Sequence, residues 1–304
     1  MKNVCRTPKV TVTEKEWRDR VGLKMIVVFI STVGFCMLSF AVISFASLSK
    51  SSDPMKLEGL ILAHRGTDEA RTYPENTLAA IRHVHAQGAD GIEIDVQLTK
   101  DGQMVLMHDL TLEKMTGDTR RIDEVTLNEL QLLPLKHTGE GTHTIPTLEE
   151  ALDVCHELGL VVNIELKQVQ NPKVLAQKLT NLFEEKNLYG RAFVSSFLRD
   201  HLYALRKASS KITSVWITEE QSVYLNPKNI LYRATALSIT PKLLGIDGIF
   251  FHTSMLKGRL KRADEAKRAG YQVGVWTLNS AEDMKKLSSV SKLIITDRVE
   301  TFTA

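Results

Sequence analysis

Gly91-Ile92-Glu93-Ile94-Asp95-Val96-Gln97-Leu98 is the stretch from which the fold is read. Its isoleucines and valine predict a strand, and strand side chains alternate between two faces. Glu93 and Asp95 therefore share one face, and Ile92, Ile94 and Val96 share the other. Two carboxylates side by side in an otherwise apolar strand are costly unless something pairs them. A divalent cation does so, and hard oxygen ligands suit Mg²⁺ or Ca²⁺. Salt bridges to neighbouring Lys or Arg are the plainer alternative.

Outward from this strand the pattern repeats. Strands are expected at 60–64, 91–98, 104–108, 161–166, 192–197, 212–217, 248–251, 272–277 and 293–296. Helices are expected at 76–87, 148–158, 172–186, 200–208, 259–269 and 281–287. Strands alternating with helices imply parallel strands with crossover helices, and about eight such units fit a TIM (β/α)₈ barrel. Strands 91–98 and 104–108 are joined by too short a link for a parallel crossover, so nine candidates compete for eight places. Residues 110–146 are polar, carry Gly117, Gly139 and Gly141, and read as a small insertion over the barrel mouth.

In such a barrel the chemistry sits at the carboxyl ends of the strands. The first strand ends in Ala63-His64-Arg65-Gly66, and the third candidate ends in Met107-His108-Asp109. Between them, Tyr73-Pro74-Glu75-Asn76-Thr77 precedes a helix that Asn76 is placed to cap. Val161-Val162-Asn163-Ile164-Glu165-Leu166-Lys167 repeats the alternation, with Asn163, Glu165 and Lys167 on one face. Glu165 can complete an oxygen-rich metal site, and Lys167 can neutralise a phosphate oxygen as a compact charge. Trp276, at the end of a late strand, is either pocket wall or core. Asp297 reads as structural. The remaining histidines, His83, His85, His137, His143, His156, His201 and His252, receive no role.

The amino-terminal part differs in kind. Residues 25–48 hold no charge and form an apolar run of roughly 24 residues, a helix of about 36 Å, long enough to span a bilayer. A secretory signal peptide with a site near Ser44-Phe45-Ala46 is the rival, but the run exceeds a usual signal core. Lys2, Arg6, Lys9, Lys15, Arg18, Arg20 and Lys24 precede it, against Lys50 and Lys56 shortly after. The bias puts residues 1–24 in the cytoplasm and the large domain on the extracytoplasmic side of a single-pass anchor. Residues 49–58 read as a linker and 59–304 as the barrel domain. Cys5, Cys36 and Cys155 are far apart, which gives neither a disulfide framework nor a zinc site. A net charge of +3 with no basic stripe in the body of the chain gives no case for nucleic acid.

Several motifs stand in the order seen in the glycerophosphodiester phosphodiesterase family. They are His64-Arg65-Gly66, Pro74-Glu75-Asn76-Thr77, Glu93-Ile94-Asp95-Val96, His108-Asp109, Pro146-Thr147-Leu148-Glu149-Glu150 and Glu165-Leu166-Lys167. Val275-Trp276-Thr277 and Ile295-Thr296-Asp297 extend the resemblance, which runs from about residue 61 to 299. Where the family often has Pro after a final Thr-Asp-Arg, Val299-Glu300 follows Arg298 here. The resemblance implies a TIM barrel, with His64 and His108 as general acid and base. It implies Glu93, Asp95 and Glu165 as metal ligands, with His108 beside them. Arg65 and Lys167 would bind phosphate, and Glu75 would be a further active-site carboxylate. The expected reaction is metal-dependent hydrolysis of a glycerophosphodiester to glycerol 3-phosphate and an alcohol. Lysophospholipase D action, giving lysophosphatidic acid, is an alternative, as is a non-catalytic tethered barrel that binds phospholipid headgroups. A sphingomyelinase-D-like enzyme shares the barrel and the His pair, but is usually disulfide-stapled.

Overall fold

The computed structural model describes residues 48–137, 141–219 and 240–303. The basic leader 1–24 and all but Leu48 of the apolar run, with Cys5 and Cys36, lie outside the described residues. Among the described residues no helix is long and apolar enough to cross a membrane.

Eight parallel strands form the barrel. They are β1 (Ile61–Ala63), β2 (Gly91–Leu98), β4 (Val161–Leu166), β5 (Ala192–Ser196), β6 (Ser214–Thr218), β7 (Gly248–His252), β8 (Gln272–Trp276) and β9 (Leu293–Thr296). β1 pairs with both β2 and β9, and the ring closes. β3 (Met104–Leu106) resolves the surplus candidate: it is antiparallel to β2, with Val96 opposite Leu106, and lies outside the ring. The short link is therefore a hairpin, turned at Gly102 (φ 76°), a backbone conformation glycine adopts freely. At Gly91 a Cβ would lie 2.2 Å from the Val161 carbonyl oxygen, so only glycine lets β2 start between its neighbours.

The alternation read from β2 is realised. Ile92, Ile94 and Val96 are fully buried against Ile81, Val84, Leu148 and Leu152, which come from α1 (Leu78–Ala86) and α2 (Leu148–Leu158). Each such side chain contributes about 1.5–3 kcal/mol. The Thr147-Leu148-Glu149-Glu150 motif is a capping box. Thr147 Oγ1 accepts from the Glu150 N–H, and Glu150 Oε2 accepts from the Thr147 N–H. The inner face is apolar over much of its height, with Leu62, Phe193, Val215, Ile217, Phe250, Leu293 and Ile295 packed together.

Two expectations are corrected. The cap of α1 is Thr77, whose Oγ1 accepts from the Ala80 N–H, and not Asn76. Asn76 instead takes a left-handed backbone (φ 58°), which Asn tolerates, and turns its amide inward. The insertion is not merely polar. Leu112, Ile122, Val125, Leu130, Leu135 and Ile145 pack with Val105 and Met107 into a small core of their own. Residues 51–57, within the expected linker, are hydrogen-bonded to the barrel end where the strands begin. Ser51 donates twice to Asp247, the Met55 N–H donates to Thr213, and the Leu57 N–H donates to Gln272. Leu57, fully buried, joins the inner apolar cluster and closes that end.

Candidate active site

At the other end the inner face turns acidic. The register sets Asp95 opposite Glu165 and Glu93 opposite Asn163. Oxygens of Glu93, Asp95 and Glu165 lie within 4.8 Å of one another, and all three residues are buried. Lys167 Nζ sits among them, 2.9 Å from Asp95 and 2.5 Å from Glu165. The plainer salt-bridge reading thus holds for Lys167, but one ammonium faces three carboxylates. Burial, with Asp95 and Glu165 beside it, pushes Glu93 well above the usual carboxylate range. Burial raises Glu165 too, against the pull of Lys167. For Asp95 burial acts upward, but Lys167, His108, Asn76 and Arg65 prevail and hold it at about 2. Burial opposes the charge on Lys167, yet Asp95 and Glu165 keep it firmly protonated. Glu93 Oε1 is buried with no hydrogen-bond partner. An orphaned oxygen within an under-compensated carboxylate cluster fits a divalent cation.

The loop after β1 wraps this cluster. Arg65 has a left-handed backbone (φ 55°), strained for a side chain of its size, and its N–H donates to Glu93 Oε2 at 2.9 Å. The Asn76 N–H donates to the Arg65 carbonyl. The Asn76 amide donates to Asp95 Oδ2 at 2.8 Å and accepts from the Asp95 N–H. Asn76 thus buttresses an acidic residue, a task sequence reading missed. Buried Glu75 lies 2.9 Å from Arg65, 3.5 Å from Arg71 and 3.7 Å from Lys114, so it gathers three cations at the mouth. Burial opposes the charge of Arg65, but Glu75, Asp95 and Glu93 outweigh it. Its Nε has no partner.

Each imidazole singled out from the sequence is held by an aspartate. His64 Nδ1 lies 2.8 Å from Asp297, and His108 Nδ1 lies 2.7 Å from Asp109. Burial works to raise Asp297, yet its contacts with His64, Asn279 and Arg71 bring it down to about 2. Burial likewise opposes Asp109, and His108 and Lys114 lower it. Both carboxylates are lowered and so ionised near neutrality, and each can only accept from its imidazole. His108 is lowered by burial, with Lys167 and Arg65 assisting, against Asp95 and Asp109. The sequence reading gives Asp109 no role and Asp297 a structural one; Asp297 directly follows β9, and that position is the available signal. Trp276 packs edge-on to Phe197 and His252, at 5.2 and 4.9 Å, and lies against the inner apolar cluster. Cys155 is buried, its thiol pushed up to about 12, and it serves as filler.

Fold and site together define a TIM barrel with a buried carboxylate cluster and two aspartate-held histidines at the carboxyl end of its strands. The sequence profile of the glycerophosphoryl diester phosphodiesterase family matches residues 64–301, and the chain is an enzyme belonging to that family. It is 31 % identical over 254 residues to a glycerophosphodiester phosphodiesterase of Caldanaerobacter subterraneus subsp. tengcongensis, covering 81 % of this chain and 96 % of that one. A lysophospholipase D of Rattus norvegicus is 29 % identical, covering 64 % of this chain and 62 % of the relative. The crystal structure of the Thermotoga maritima glycerophosphodiester phosphodiesterase superposes with a TM-score of 0.63 at 26 % identity, over 80 % of this chain and 96 % of the other.

Proposed function

We propose that this chain hydrolyses glycerophosphodiesters to glycerol 3-phosphate and an alcohol, with His64 and His108 as the general acid and base. The observation that carries this is the pair of aspartate-held imidazoles beside a buried carboxylate triad. One ring, through a free Nε2 lone pair, takes the proton of the attacking hydroxyl; the other, protonated, gives one to the leaving oxygen. Arg65, through its unpartnered Nε, and Lys167 place positive charge against the phosphate. Glu75 holds Arg65 in that position. Trp276 offers an apolar wall to the substrate. A cation held by Glu93, Asp95 and Glu165, with His108 beside them, would neutralise charge on the phosphoryl oxygens, and this ligand set suits Mg²⁺ or Ca²⁺.

Residues 25–48 are assigned in this reading to a single membrane span, with 1–24 cytoplasmic and the barrel domain extracytoplasmic, on the charge bias around the span. Cleavage of lysophospholipids to lysophosphatidic acid is the second reading, supported by the apolar run and by the likeness to the rat lysophospholipase D. Both imidazoles and all three carboxylates speak against a silent headgroup-binding barrel.

The test is choline release from glycerophosphocholine and from lysophosphatidylcholine by the full chain in detergent, with Mg²⁺, with Ca²⁺ and with chelator. Metal-dependent release, lost in His64→Ala, is expected, with glycerophosphocholine preferred. Folded protein that releases choline from neither substrate in the presence of metal would overturn the reading.

A further inference from the structure

The end of β9 carries an arrangement that the acid–base pair alone does not explain. Asp297 Oδ1 meets His64 Nδ1 at 2.8 Å, and its other oxygen, Oδ2, accepts from Asn279 Nδ2 at 2.7 Å. The orientation of that amide is fixed. Asn279 Oδ1 accepts from the Asp297 N–H at 2.9 Å and from the Thr296 hydroxyl at 3.1 Å. A backbone N–H can only donate, so Asn279 must turn its oxygen there and its NH₂ toward the carboxylate. Thr296 Oγ1 in turn accepts from the Arg298 N–H at 2.9 Å, which leaves its own proton for Asn279.

We infer that Asp297, locked by Asn279, is a positioning residue that sets the tautomer of His64 and so leaves Nε2 unprotonated and able to accept a proton. The carboxylate offers only acceptors, so the neutral ring must place its hydrogen on Nδ1. Arg71, 3.9 Å from Asp297 Oδ1, and the neighbouring Arg298 also favour the ionised form.

The lock makes a sharp forecast for Asp297→Asn. The Asn279 NH₂ still demands an acceptor on its side, so the new amide must put its oxygen there and its NH₂ against His64. His64 Nδ1 then has to accept, the ring proton moves to Nε2, and the base is disabled with the geometry intact. Removing the lock with Asn279→Ala frees the new amide to rotate and offer oxygen to His64 again. A merely structural aspartate would give no such recovery, since the double variant would be worse than either single one.

The experiment uses the full chain in detergent, labelled with ¹⁵N-histidine, at a pH where the ring is neutral. His64 signals are assigned by their loss in His64→Gln, and the unshifted signals of the other histidines report folding. The wild type is expected to show hydrogen on Nδ1, Asp297→Asn hydrogen on Nε2, and Asp297→Asn with Asn279→Ala a return to Nδ1. For glycerophosphocholine hydrolysis, kcat is expected to fall on the order of 10²–10⁴-fold in Asp297→Asn with KM little changed. The double variant should regain about tenfold over it. Retention of the Nδ1 proton in Asp297→Asn, or a double variant with the same tautomer and rate as the single, would overturn the inference. The rate arm rests on the phosphodiesterase reading. If the wild type hydrolyses no diester, that reading falls while the tautomer arm still decides this one.

Discussion

Asp247, at the closed end of the barrel, and Glu93, at its mouth, are equally buried, at 2 % exposure each, yet they are served very differently. The Asp247 carboxylate accepts from the Ser51 N–H and hydroxyl, the Ser214 N–H and Arg206 Nη2, all at 2.8–2.9 Å. One guanidinium meets one carboxylate, and the strap over the barrel is fastened by the same group. At the mouth, three carboxylates share the ammonium of Lys167, and Glu93 Oε1 has no partner. Folding alone would select the first arrangement, because an uncompensated buried charge is a liability. The second is the arrangement that a divalent cation would complete, and without one burial keeps Glu93 well above the usual carboxylate range.

The largest effect expected from this contrast is at Glu93. Glu93→Gln should lower diester hydrolysis by a factor on the order of 10³ or more. In chelator, however, its unfolding free energy should equal or exceed that of the wild type, since a repelled charge has been removed. A divalent cation at 100 times its Kd should stabilise the wild type by about 2.7 kcal/mol and the variant by much less. Urea unfolding with and without cation reads both. A Glu93→Gln protein less stable in chelator would mean that the mouth is built like the closed end, and the comparison would collapse.

Asp247→Ala is the mirror experiment. It strands Arg206, whose side chain is 3 % exposed, and releases Ser51. Breaking a buried pair from one side costs about 3–5 kcal/mol. Unfolding should therefore shift strongly, while kcat of the remaining folded protein stays near the wild-type value. A large loss of kcat with little loss of stability would place Asp247 in the chemistry instead.

The contrast also explains what the sequence could disclose. Glu93, Asp95 and Glu165 were legible because strand alternation places each on the inner face regardless of context. His64 and His108 were legible because they end strands. The antiparallel place of β3 was not, since a short link forbids a parallel pairing without saying which strand leaves the ring. Nor were the supporting contacts. Asn76 reaches Asp95 across 19 residues and His64 reaches Asp297 across 233, and no local period encodes such pairings. Asn76 in particular carried the signature of a helix cap, and Thr77 beside it had the better geometry. The insertion misled for another reason: its apolar residues are spaced irregularly, so their shared core emerges only when the loop closes.

Asp297 sharpens the comparison with the smallest effect, because it lies at the mouth and yet is wired like Asp247. His64, Asn279 and Arg71 hold it at about 2 against an ordinary 3.8. Its folded value is thus depressed, so its ionised form stabilises the fold above about pH 4, and that contribution fades as pH falls from 3.8 toward 2. The shift corresponds to at most about 2 kcal/mol, discounted toward 1 for the solvent that reaches one edge of the carboxyl. The wild type should therefore exceed Asp297→Asn in unfolding free energy by a gap that is nearly constant from pH 5 to 7, falls to about half near pH 3 and almost closes at pH 2. Urea titrations at pH 6, 3 and 2 measure it as a difference, in which the other carboxylates cancel. A gap that stays undiminished at pH 2 would mean that Asp297 holds the mouth by shape and hydrogen bonding rather than by charge. Under-compensation would then extend over the whole mouth, not the triad alone.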